Sequence, residues 1–181
     1  MQAQSVEVDG VTIELVAGDI VEQTDMDAVA NAANAQLLPG GGVAGAIHRA
    51  AGPGLAEECR PLAPISPGEA VITGGHELLN PYVIHCLGPV YGVDRPEDVL
   101  LAACYRSALE LADRHGLRSV AFPAISTGVF GYPMAAAAEV ALGAVLATIG
   151  RLESVRTVRF VLPGDGALGL HSEALRRLLE R

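Results

Sequence analysis

Ser119-Val120-Ala121-Phe122-Pro123-Ala124-Ile125 is a continuous apolar stretch, and it runs directly into Ser126-Thr127-Gly128-Val129-Phe130-Gly131 and then an Ala-rich segment from Pro133 to Ile149. An apolar run of this length without alternation predicts a central strand buried on both faces. The glycine-bearing segment reads as a loop, and Pro133–Ile149 as a helix. Working outward, the same strand–loop–helix order recurs. Asp27–Asn31 predicts a short strand, followed by Asn31-Ala32-Ala33-Asn34, the run Gly40-Gly41-Gly42, and a helix through Ala51. Gly52-Pro53 breaks that helix, and Pro53 suits the first turn of another, ending at Cys59. Val6–Val16 predicts two strands around an Asp9-Gly10 turn. Glu69–Thr73, Tyr82–Cys86 and Arg156–Leu162 predict further strands. Pro96–His115 predicts a helix with apolar residues at Val99, Leu100, Ala103, Cys104, Ala108 and Leu111, and Gly169–Leu179 predicts the terminal one. Strands alternating with helices imply an α/β fold, largely parallel, with helices on both faces. Length and the lack of an internal linker predict a single domain over 1–181.

Composition narrows the chemistry. Twelve basic residues against 21 acidic ones give a formal net charge of −9, which argues against gripping nucleic acid by its phosphates. Every basic residue is arginine. The absence of lysine excludes Schiff-base and pyridoxal chemistry and a Walker-type phosphate-gripping lysine. Cys59, Cys86 and Cys104 form no C-x-x-C pair and read as reduced, buried thiols in a cytoplasmic protein. The first twenty residues show no signal-peptide pattern, and no apolar run approaches the ~20 residues of a membrane span. The five histidines show no metal-ligand spacing, so no metal is expected.

In sheets of this kind ligands sit beyond the carboxyl ends of the strands. Three segments are expected there: Asp19-Ile20, Asn34–Gly45 and Ser126–Gly131. Gly41-Gly42-Val43 and Thr127-Gly128-Val129 each precede a predicted helix, whose start offers unpaired N–H groups and the positive dipole end. Two such loops facing each other would hold a diphosphate without a basic side chain. Asp19 is suited to accept from an amino group or to cap its own turn. Asn34 is suited to ribose hydroxyls or to its own turn. Phe130, an aromatic in a polar loop, is suited to stacking on a sugar or base, or to packing on the core. His85 and His48 read as core and packing residues.

Two other enzyme classes leave traces. Gly40–Gly45 fits G-x-G-x-x-G, but the insert Ala32–Pro39 separates it from its strand, Glu57 and Glu58 fall too early for the acidic residue expected ~20 positions on at the next strand's end, and Glu69 lies at a strand start. Ala124–Gly128 approximates a nucleophile elbow with Asp165 and His171 following in order, though its first glycine is Ala124.

The segments Asn31–Asn34, Gly40–Gly52, Gly68-Glu69-Ala70, Tyr82–Pro89 and Phe122–Pro133 together resemble the signature of the macrodomain family, in its MacroD-type branch, over about Val11–Leu179. The resemblance implies a three-layer α/β/α sandwich around a mixed sheet, with ADP-ribose or an ADP-ribosylated substrate as the partner and no cofactor. It implies that Asp19 binds the adenine amino group and that Ile20 positions the base. Gly41, Gly42 and Val43 would form one diphosphate loop, and Ser126, Thr127, Gly128 and Val129 the other. Asn34 would orient the distal ribose and Phe130 would pack on it, the two carrying catalysis. MacroD-type members release ADP-ribose from acidic side chains and deacetylate O-acetyl-ADP-ribose, usually with an aspartate directly after Gly-Gly-Val. Here that residue is Ala44, so the expected hydrolase has as its alternative a non-catalytic ADP-ribose reader. Pro163 stands where members often place an aromatic against adenine.

Overall fold

A computed structural model describes residues 2–181, so of the expected domain 1–181 only Met1 lies outside the described residues. Its strands are β1 (Gln4–Val8), β2 (Val11–Ala17), β3 (Ala28–Ala32), β4 (Ala70–Gly74), β5 (Tyr82–Cys86), β6 (Ser119–Phe122) and β7 (Thr157–Leu162). They form one seven-stranded sheet in the order β1-β2-β7-β6-β3-β5-β4. The five inner strands run parallel, and β1 and β4 close the two edges antiparallel. The helices are α1 (Gly42–Ala51), α2 (Pro53–Cys59), α3 (Glu97–Arg114), α4 (Met134–Ile149) and α5 (Asp165–Leu179).

The alternation of strand side chains makes two cores. Ala28, Ala30, Ile84, Val120, Phe122, Val158 and Phe160 pack toward α3, α4 and α5. Val29, Val83, Ala121 and Val161 point the other way, toward Ile47 and Ala51 of α1 and Leu55 of α2. Inner strands buried on both faces explain the unbroken apolar reading of β6. The result is the expected α/β/α sandwich with a mixed sheet.

Two boundaries shift from expectation by three or more residues, and one buried face differs. β6 ends at Phe122 rather than Ile125, because Pro123 has no N–H to continue the ladder. α5 starts at Asp165, four residues before Gly169; Gly166 and Gly169 make its first turn read as a loop, whereas Asp165 suits the dipole there. On α3 the buried face is Leu101, Cys104, Tyr105, Ala108, Leu109 and Ala112, and Val99 is exposed. The stripe is rotated from the one expected because Tyr105, which carries a hydroxyl, packs inward between Phe122 and Phe160.

Sheet order positions the site. From β3 the chain moves outward to the edge strand β4, comes back through β5, and then crosses β3 to β6 and β7. The direction of travel therefore reverses between β3 and β6. Their ladder holds only two paired positions, Ala28 with Val120 and Val29 with Ala121. Beyond them the strands part at their carboxyl ends, the place where open α/β sheets form a crevice.

Candidate ligand-binding cleft

A cleft of about 700 Å³ occupies that crevice. Because β2, β7, β6 and β3 are parallel neighbours, the loops after them share one edge of the sheet. Asp19 and Ile20 follow β2, Pro163 follows β7, Ser126–Phe130 follow β6, and Gly41–Val43 follow β3; all line the cleft. Ten of the eleven expected site residues are thereby brought together. Asn34 does not line the cleft.

The first loop owes its shape to two glycines. Gly42 opens α1 at φ +56°, a left-handed value that side chains disfavour. Gly45 faces the preceding loop so closely that a Cβ would overlap the Gly40 carbonyl oxygen. The N–H groups of Gly42 and Val43 have no acceptor among the described residues, as expected at a helix start. The second loop differs from expectation. α4 begins at Met134, three residues past Gly131, so its N-terminus is not the loop's donor set. The loop is instead a turn closed by Tyr132 N–H to the Ser126 carbonyl (2.9 Å) and Gly131 N–H to the Gly128 carbonyl (3.0 Å). With Ser126 at φ +68°, this turn leaves the N–H groups of Gly128, Val129 and Phe130 without acceptors among the described residues. Such consecutive free N–H groups make an anion-binding concavity.

Among the described residues, Asp19 is the only ionisable one lining the cleft. It caps the short 3-10 turn Ile20–Glu22, its Oδ1 accepting from Val21 N–H at 3.1 Å, so Oδ2 is left for a ligand donor. Asn34 bridges its own turn: Nδ2 donates to the Leu38 carbonyl (2.8 Å) and Oδ1 accepts from Leu38 N–H (3.0 Å). An amide has two N–H donors and two acceptor lone pairs, so one of each remains. Phe130 lines the cleft and packs against the α1/α2 core, the second of its two expected roles.

The serine-nucleophile trace is overturned. Ser126 Oγ has no hydrogen-bond partner, while His171 bonds the Ala167 carbonyl (2.8 Å) and packs on Phe160. His85 is core, as expected, with Asn31 Nδ2 at 3.1 Å and Thr73 Oγ1 at 2.9 Å. Burial, helped by the nearby His48, pushes its pKa down to about 3. His48 differs from expectation. It is 6% exposed, yet neither ring nitrogen has a partner. No sequence pattern distinguishes an orphaned histidine from a satisfied one. Ala44 lies one helical turn before it, buried and outside the cleft lining. No group of three His, Cys, Asp or Glu stands together as a metal site among the described residues. Among the described residues no helix is long and apolar enough to cross a membrane.

Residues 30–141 match the family model of the Macro domain. Macro domain-containing proteins from Chlorobaculum tepidum and Methanosarcina mazei are each 46% identical over 168 residues. The matches cover 92% of this chain and 97% and 89% of theirs. Among solved structures, the Oceanobacillus iheyensis macrodomain with ADP superposes with a TM-score of 0.93 at 38% identity, covering 99% of this chain and 97% of that one. The Trypanosoma brucei macrodomain in complex with ADP-ribose gives 0.83 at 38% identity, over 90% of this chain and 68% of that one.

Proposed function

The chain belongs to the Macro domain family, and from that premise we propose that its cleft binds ADP-ribose and that it acts as a hydrolase. The reaction is release of ADP-ribose from mono-ADP-ribosylated acidic side chains, deacetylation of O-acetyl-ADP-ribose, or both. The observation that carries the reading is the pair of loops with free N–H groups lining one cleft that contains no cation. A diphosphate is the anion such a pair accommodates. Adenine lies against Ile20, Val161 and Pro163, its amino group donating to Asp19. The distal ribose packs on Phe130 and extends past the cleft-lining Ala33 to the remaining donor and acceptor of Asn34, just beyond the lining.

With Ala44 where relatives of the MacroD type usually carry aspartate, no carboxylate stands at the ribose end. A phosphate oxygen of the substrate then positions the attacking water, and Asn34 and Phe130 hold the ribose in attack geometry. Positioning alone contributes several kcal/mol, whereas loss of a general base costs a factor of about 100 to 10,000. Ala44 is therefore also the observation favouring a second reading, a reader that binds ADP-ribose without turnover. Calorimetric titration with ADP-ribose, run beside incubation with a mono-ADP-ribosylated glutamate substrate, separates the two. Binding with release supports the hydrolase, binding without release the reader, and no binding rejects both.

A further inference from the structure

A second cavity of about 330 Å³ opens on a different face of α1 from the main cleft, walled by Pro39, Gly40, Gly45, His48, Arg49 and Gly52. It begins at the ribose end of the proposed ligand. A Cβ on Gly40 would stand 3.7 Å from Asn34 Nδ2, so Gly40 separates the cavity from the Asn34 turn. Arg49 reaches back along the helix to that boundary. The missing side chain of Gly45 leaves a space flanked by the Gly40 carbonyl and by Arg49 Nη1, the latter 2.9 Å from where a Cβ would be. Arg49 has no ion-pair partner among the described residues, in a chain of net charge −9. At the far end the Glu77 carboxylate crowds Gly52. The cavity thus presents a free cation beside the ribose end, and the Glu77 carboxylate stands behind its Gly52 wall. His48, buried and without a polar partner, forms part of its wall.

We infer that this cavity is an acceptor-peptide subsite, in which Arg49 pairs with an acidic residue adjacent to the ADP-ribosylated side chain. The inference rests on the proposed binding of ADP-ribosylated substrates. A substrate joined through its distal ribose leaves the main cleft at Asn34 and Gly40. The first groups its polypeptide meets beyond that rim are Pro39, Gly40 and Arg49. A carboxylate there meets an uncompensated guanidinium, while Glu77 repels a second acid placed further on. Arg49 is exposed and unpaired, so its replacement leaves the fold intact.

The test measures dissociation constants of free ADP-ribose and of two mono-ADP-ribosylated peptides, with Glu or Lys next to the modified residue, for wild type, Arg49→Ala and Arg49→Glu. Binding is read directly, so the result does not depend on turnover. Wild type should favour the Glu peptide by about fivefold, the scale of an exposed charge pair. Arg49→Ala should abolish the preference and Arg49→Glu should invert it, with free ADP-ribose unchanged in all three. An unchanged peptide preference in Arg49→Glu overturns the subsite. Equal loss for free ADP-ribose overturns it too, by placing Arg49 in the nucleotide cleft. Failure of wild type to bind free ADP-ribose instead rejects the underlying function.

Discussion

Arg159 Nη1 and Gln23 Oε1 are 2.9 Å apart, and this bond ties the middle of the sheet to the loop proposed to read adenine. Arg159 on β7 sits opposite Glu14 on β2, binds its carboxylate through Nε (2.6 Å), and forks onto both oxygens of Asp25 (2.8 and 2.9 Å). Gln23 uses its other amide atom to donate to the Asp19 carbonyl at 2.9 Å. One 14%-exposed guanidinium therefore fixes the far end of the turn that Asp19 caps.

Arg159→Met keeps the stem but removes the fork. Glu14 and Asp25 lose their cation, and Gln23 loses the group that orients its amide. Hydrogen bonds to charged groups contribute about 1.5 to 3 kcal/mol each when buried, and partial exposure places the expected loss near 2 kcal/mol. A chemical denaturation curve measures that. Calorimetry should show ADP-ribose binding about fivefold weaker, the equivalent of ~1 kcal/mol at the Asp19 turn. An unchanged dissociation constant would mean that the turn holds its shape without Arg159.

Ala44→Asp restores the carboxylate that the resemblance leads one to expect. Position 44 is in the first turn of α1, where an acidic group favours the dipole. It also stands four residues before His48, and i,i+4 side chains are neighbours on a helix. The new carboxylate would thus reach an imidazole that now has no partner. Stability should change by less than about 1 kcal/mol despite the buried position. Release of ADP-ribose should rise by about 100-fold or more with affinity unchanged, if only the base is missing. An unaltered rate in a folded variant would show that the phosphate-positioned water already suffices.

Three histidines, His48, His85 and His171, have pKa values held down by burial, His85 to about 3. Each binds its proton more readily unfolded than folded. The stability they protect is complete above the unfolded value near 6.5 and is lost as pH falls from there toward the folded values. Well below 6.5 each contributes a loss of about 1.4 kcal/mol per pH unit until its own folded pKa is reached. The urea midpoint should therefore drop from pH 7 to pH 5. The His85 imidazole should show no NMR titration near pH 6.5. A His85 resonance titrating in that range would contradict the buried, Asn31- and Thr73-bonded ring.

Most of this architecture was legible because strands and helices alternate with clear punctuation. Pro53, Gly116 and Pro133 mark real boundaries, and β5 falls where Tyr82–Cys86 reads. The cleft was legible only conditionally. Its loops read as strand-end segments, but their convergence depends on β2, β7, β6 and β3 being neighbours, a long-range pairing that local residues do not encode. For the same reason the Arg159 relay was invisible, since Glu14, Gln23, Asp25 and Arg159 meet only through the β2–β7 ladder. The second loop has free donors for a reason its sequence does not display. Gly128 and Gly131 resemble a helix lead-in, while the turn is closed by bonds within the loop.

Gly45→Ala sets two effects of opposite sign against each other. In an exposed helix interior the change stabilises by about 1 kcal/mol, because alanine is the better helix former. Here the added methyl overlaps the Gly40 carbonyl oxygen, a backbone atom that cannot swing aside as a side chain would, and it also meets Arg49 Nη1. The Pro39–Gly42 loop must shift away from α1. That moves the free N–H groups of Gly42 and Val43 from their place opposite the second loop. The variant should be less stable than wild type, by about 1 to 3 kcal/mol as for other overpacked sites. Its ADP-ribose affinity should fall at least tenfold, with the crystal structure showing the loop displaced. A stabilised variant with full affinity would mean that Gly40 relaxes at no cost and that the close approach of loop to helix does not shape the diphosphate site.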